Sequence, residues 1–337
     1  MTATPLREAT PPQTSGSKTT FSTVLSKFGP VLGLLFVIIL FGALRPAKFL
    51  SWDNAQLILL QTAVVGTAAL GMTLIIISGG IDLSVGSNIA LCTVIIALLL
   101  AKGVPPLLAA GGGVVSGALC GFFIGLLITR LKLSPFVVTL GMLGALRGLA
   151  KGAAGETMVN APPTGLNNLL TALSPNQRWM LVPPGVWMMI GLALLVSFVL
   201  RNTRFGRHIF AIGSNEQTAR LCGVPVERTK LLIYTMGAVF VGIAGVLQFS
   251  YLTVGDPTTA TGYELSAIAA VVIGGASLAG GQGSVFGTIV GALIMTIIGV
   301  GCTKLDMPNW VQEIVTGAII VFAVTLDRFR RNPGKDG

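Results

Sequence analysis

Charge is scarce in this sequence. Only 10% of its 337 residues are Asp, Glu, Lys or Arg, while 53% are hydrophobic. Soluble domains carry about 25% charged residues, so most of the outer surface must face lipid, and a soluble enzyme or binding domain is excluded. Histidine is nearly absent. His208 stands alone, which leaves a His-based triad or a His-rich metal centre without its partners. The four cysteines, Cys92, Cys120, Cys222 and Cys302, form no C-x-x-C pair, so neither disulfides nor metal are expected. A phosphate-binding loop is missing too. The single Gly-Lys pair, Gly334-Lys335, is followed by Asp336 instead of Ser or Thr, so any ATP hydrolysis must come from another subunit. No nucleophile with a base, and no paired acids, fall within apolar stretches, so no catalytic residue or cofactor is expected.

Long apolar runs are what the chain does have. A helix needs about 20 apolar residues to cross the hydrocarbon core. Lys27 to Arg45 encloses 17 uncharged residues, Asp53 to Asp82 encloses 28, and Asp82 to Lys102 encloses 19. Lys102 to Arg130 encloses 27, Arg178 to Arg201 encloses 22, and Lys230 to Asp256 encloses 25. Glu264 to Lys304 encloses 39 and carries a Gly-rich breaker at 274–283, so it reads as two spans. Weaker candidates at 134–151 and 309–326 bring the count to ten. The fold class is therefore an all-α integral membrane protein of about ten transmembrane helices.

The net charge of +10 does not indicate nucleic acid, because the Lys and Arg residues cluster between the apolar runs. Placing both termini in the cytoplasm puts 15 of the 22 basic residues inside, including six in the Arg201–Lys230 segment. Residues 1–26 are rich in Thr, Ser and Pro and are expected to be disordered. The organisation expected is a cytoplasmic leader at 1–28, a transmembrane domain at 29–327, and a cytoplasmic tail at 328–337. The domain would carry a cytoplasmic loop at 201–230 and an outer segment at 152–181. The first apolar run lacks a convincing cleavage site and reads as an uncleaved span.

Two places do not read as plain lipid-facing helix. One contains Gly79, Gly80, Asp82 and Ser84, where a Gly-Gly pair is followed by an acid that is costly in hydrocarbon without a partner. The other contains Gly274 and Gly275, and its Gly-Gly-x-Ser-Leu-Ala repeats the first pattern 195 residues on. Interrupted helices at related positions in two halves are a signature of transporters built from repeats. Ridges at Gly113, Gly117, Gly121 and Gly125, and at Gly283, Gly287 and Gly291, permit close helix approach. Gln61, Asn88, Thr139, Gln248 and Gln312 are polar residues within spans. Each either lines a route for a hydroxylated solute or makes an interhelical hydrogen bond.

The 201–230 loop is longer than a connector needs. Ser214-Asn215-Glu216-Gln217 reads as a capping box with Ser214 as N-cap. Gly223 suits a left-handed C′ position, and Pro225 prevents continuation. A short helix over 215–222, outside the membrane, is expected to form a docking surface.

At this point several segments resemble ribose-type ABC sugar permeases. They are Gly71–Leu74 with Gly79–Ser87, Ser134–Gly141 with Arg147-Gly148, Asn202–Arg220, and Thr261–Gly275. The resemblance covers about residues 50–330 in the family's order. It implies a bacterial inner-membrane permease that translocates a monosaccharide (ribose-, xylose- or galactose-like) into the cytoplasm. The implied partners are two ABC ATPase subunits, a periplasmic sugar-binding protein and a second permease subunit, identical or related. It places the ATPase-coupling contact at Gly213, Ser214, Asn215, Glu216, Ala219, Arg220 and Gly223. An ion-coupled secondary transporter is the alternative, with Asp82 and Glu264 as its only acids near spans.

Overall fold

The structure, a computed structural model, describes residues 19–173 and 179–331. Its helices are α1 (Thr19–Leu44), α2 (Pro46–Phe49), α3 (Trp52–Ile77), α4 (Val85–Ala101), α5 (Pro106–Arg130), α6 (Pro135–Ala154) and α7 (Pro184–Asn202). They continue with α8 (Arg204–Ser214), α9 (Glu216–Leu221), α10 (Val226–Leu252), α11 (Tyr263–Ile273), α12 (Val285–Lys304) and α13 (Asn309–Arg331). Among the described residues the only sheet is a two-residue antiparallel pair, β1 (Val159–Asn160) with β2 (Val254–Gly255).

Local sequence explains where many helices begin. Proline occupies the first turn of α5, α6 and α7, where its missing N–H has no helical partner to lose. Ser51 and Ser284 cap α3 and α12 by accepting from Asn54 N at 3.3 Å and Gly287 N at 3.4 Å.

The bundle is organised around α3, which is almost wholly buried, with α10, α12, α11 and α7 beside it. Helices already in a bilayer gain little from hydrophobic transfer, so close packing of small residues carries the association. A β-carbon at Gly71 would overlap the Gly237 carbonyl, which locks α3 against α10. The α5 ridge packs the same way, with Gly117 and Gly121 against Ala238, Gly242 and Tyr234 of α10. In the α12 ridge, Gly287 and Gly291 sit on the Gly274 and Ala270 backbones. Large apolar side chains such as Leu107, Leu119, Phe136, Leu194 and Phe198 point outward from α5, α6 and α7, as a lipid-facing surface requires.

Among the described residues, six helices are long and apolar enough to cross a membrane, and α1, α4, α11 and α13 contribute shorter apolar stretches. Each of the ten expected spans thus corresponds to an apolar helix, and 134–151 and 309–326 become α6 and α13. One expectation needs correction. The 39-residue interval holds one full span, α12, and a half-length helix. With 11 residues, α11 rises about 16 Å, roughly half of the ~30 Å hydrocarbon core.

Two boundaries also move. Helical backbone extends back to Thr19, into the stretch expected to be disordered, where Phe21, Val24 and Leu25 interrupt its polar composition. Residues 1–18 lie outside the described residues. At the other end α13 continues to Arg331, past the expected tail boundary at 328. The remainder of that tail, 332–337, is also outside the described residues.

Candidate functional site

The Arg201–Lys230 connection folds into two helices set at a corner. Thr203 caps α8 by accepting from Gly206 N at 3.1 Å, and Ile209 and Ile212 turn inward. The expected N-cap of α9 requires correction: Ser214 is the last residue of α8, and Asn215 takes the cap, its Oδ1 accepting from Thr218 N at 2.9 Å. Both residues can cap. The choice falls to Asn215 because the amphipathic α8, unforeseen in the sequence, runs through Ser214. At the other end of α9, Gly223 adopts φ 81° at the C′ position, as expected.

Within α9 the side chains divide between inward and outward roles. Ala219 is buried against Ile212 and Val226. The Glu216 carboxylate accepts from Lys230 Nζ at 2.6 Å and pairs with Arg220 at 3.6 Å. Arg220 also bonds Glu227, whose hydrogen bond and charge hold the guanidinium above its ordinary pKa. Asn215, Gln217, Arg220 and Cys222 are exposed, and Leu221 is 88% exposed at the tip.

The corner also touches both helix interruptions. Gly213 packs its backbone onto the Ile77 carbonyl that ends α3, and onto Gly280 and Gly281 of the second breaker. Gly281 N–H donates to that same Ile77 carbonyl at 2.8 Å. Gly79 (φ 82°) and Gly275 (φ 92°) provide the left-handed turns that end α3 and α11. These two glycines are 196 residues apart, one more than the sequence repeat, so the match in conformation is displaced by one position from the match in letters. Asp82 is buried, and its Oδ1 accepts from Ser84 N at 2.8 Å and Ser84 Oγ at 2.6 Å. Among the described residues no cation pairs with it.

A second polar centre lies beyond the end of α10. After α10 the chain pairs β2 with β1, then turns back through residues 256–262 to start the half-length α11. Irregular backbone in a membrane protein needs partners from the protein wherever water is excluded. Arg147, on α6, supplies them: its Nη1 donates to Pro257 O at 2.9 Å and Thr259 O at 2.8 Å. Gln248 Nε2 donates to Thr259 Oγ1 at 2.8 Å, and Thr93 Oγ1 to Asp256 O at 3.4 Å. The Glu264 carboxylate, in the first turn of α11, accepts from Gly262 N at 3.2 Å and lies against Gly86 in the first turn of α4. Thus the starting ends of two interrupted helices meet at one acid, with Arg147 nearby. A carboxylate is favoured at helix N-termini, where backbone N–H groups lack partners.

The chain over residues 54–324 matches the family model described as branched-chain amino acid transport system / permease component. The chain belongs to this permease family. It is 38% identical to the ribose import permease protein RbsC of Bacillus subtilis over 324 residues, covering 94% of this chain and 97% of that one. To RbsC of Escherichia coli it is 37% identical over 297 residues, 88% of this chain and 92% of the relative. To the fructose import permease protein FrcC of Rhizobium meliloti it is 36% identical over 309 residues, 90% and 85% respectively. No solved structure matches the chain.

Of the five polar residues considered for a solute route, the permease brings only Gln248 into the central cluster. Asn88 donates to Gly117 O at 3.4 Å and Gln61 to Tyr251 Oη at 3.5 Å, both links between helices. Thr139 bonds Pro135 O at 2.9 Å and Ile81 O at 3.3 Å, tying α6 to the first interruption. Gln312 donates to Met307 O at 3.0 Å at the start of α13, apart from the others. Arg147, Thr259 and Asp256 were not among the candidates. A charge more than two turns inside α6, ahead of the Lys151 that marks its last turn, is a sequence signal that points to Arg147.

Proposed function

We propose that this multi-pass permease imports a monosaccharide across a bacterial inner membrane, driven by separate ATPase subunits that press on α9. The α8–α9 corner and both termini then face the cytoplasm, in line with the distribution of basic residues. The observation that carries the reading is the Gly213 contact: the exposed corner bears directly on the breakers at 78–84 and 274–284. A push on α9 therefore has a short, rigid route to α4 and α11, whose first turns meet at Glu264. ATP binding would shift the population between inward- and outward-open states through differential contact with the corner. A periplasmic sugar-binding protein would deliver the solute near 152–173 and 253–263, and a second permease subunit, identical or related, would complete the path.

Relatives named for ribose and fructose support a sugar as cargo over the amino acids in the family's description. The test is reconstitution in vesicles with the ATPase and carrier. ATP-dependent uptake of ribose or another monosaccharide, and none of leucine, is the expected outcome. Uptake driven by a proton or sodium gradient without the ATPase would refute the importer reading.

A further inference from the structure

We propose that Arg147 is the positioning residue that latches the 256–262 segment in its closed place. The inference rests on the permease reading for which side of the membrane the segment closes. Arg147 sits thirteen residues into the twenty-residue α6, so its charge lies within a span, where such a group pairs with carboxylates or carbonyls. Both of its described hydrogen bonds come from one nitrogen and end on two carbonyls of the same seven-residue segment, Pro257 and Thr259.

That segment has little regular structure to hold it. Ala260 and Gly262 take φ 56° and 83°, and Thr253 just before them takes 64°. A non-glycine residue stays in the left-handed region only when its surroundings fix it there. Thr258 and Thr261 are exposed while Ala260 is 6% exposed and packs its carbonyl against Gly86. Withdrawing Arg147 frees both carbonyls, and the adjoining β2 gives an outer partner on β1 a direct handle on the segment.

The test uses the full-length chain in complex with its ATPase in proteoliposomes. Ala260→Cys is introduced, Cys120, Cys222 and Cys302 are replaced by Ser, and the buried native Cys92 is kept as an internal control. An impermeant maleimide is applied from the side opposite α8–α9. Arg147→Gln is expected to raise labelling at position 260 by about tenfold or more, as loss of a charged hydrogen bond holding a locally closed state implies. Labelling of Cys92 should stay unchanged. Arg147→Lys, which keeps the charge but loses the planar fork, should give an intermediate rate, and it carries the comparison if Arg147→Gln fails to insert. No rise at position 260, or an equal rise at Cys92, overturns the proposal. Because labelling needs neither sugar nor transport, this result is separate from failure of the importer reading.

Discussion

The Glu216 carboxylate lies 2.6 Å from Lys230 Nζ, so the outermost helix, α9, is bonded to the second turn of α10. Glu216 thereby acts as a strut between the docking corner and a span. Exchanging the charges tests this. Glu216→Lys alone and Lys230→Glu alone should each abolish most ATP-driven uptake, and the double swap should restore a substantial part. The pair is partly exposed, so each single change should lower stability by no more than about 1 kcal/mol. If Glu216 instead bonded the ATPase directly, the double swap would recover nothing.

Leu221 is expected to be covered by the ATPase. Leu221→Asp should leave thermal unfolding unchanged to within about 0.5 kcal/mol, since the side chain is free of the bundle. Retention of the ATPase during purification should fall sharply. Full retention would remove Leu221 from the interface.

Gly213→Ala adds a methyl group where Ile77 O and Gly281 N already sit. Over-packing of this kind costs about 1–3 kcal/mol. Thermal unfolding should detect it, and sugar-stimulated ATP hydrolysis should be lost disproportionately, because the corner no longer seats on the breakers. A variant with normal stimulation would argue against that contact as the route of force.

Gly275 and Gly287 separate two roles of glycine. A β-carbon at Gly275 meets nothing within 4 Å, but its φ of 92° is unfavourable for any other residue. Gly275→Ala should therefore destabilise by about 1–2 kcal/mol through backbone strain alone. Gly287→Ala drives its methyl into the Gly274 backbone, and should be worse at an ordinary helical φ. Comparing the two unfolding midpoints checks the order.

The ten apolar helices are legible from charge-free intervals because lipid excludes unpaired charge over a fixed thickness. Both interruptions are legible from Gly79-Gly80 and Gly274-Gly275, since a left-handed turn favours glycine. Other features depend on tertiary contact. The halving of α11 is written in the position of the breaker, which starts at Gly274 only ten residues after Glu264, but counting the whole charge-free interval as two spans conceals it. Capping by Asn215 over Ser214 is decided by how far α8 extends, and Arg204, Arg207 and His208 mask the inward stripe of Ile209 and Ile212. Residues 256–262 read as an ordinary turn, rich in Thr, Gly and Pro. Contacts from the distant Arg147, Gln248 and Thr93 show that this backbone is held by the helix bundle.

The most direct test uses Cys222, a native exposed thiol beside α9, in a chain whose other cysteines are replaced. A short thiol-to-amine cross-linker added to the assembled transporter should join Cys222 to the ATPase subunit, with a yield that changes when ATP is bound. Cross-linking only to the outer carrier, or labelling of Cys222 by an impermeant reagent from the outer face, would contradict the proposed route of force.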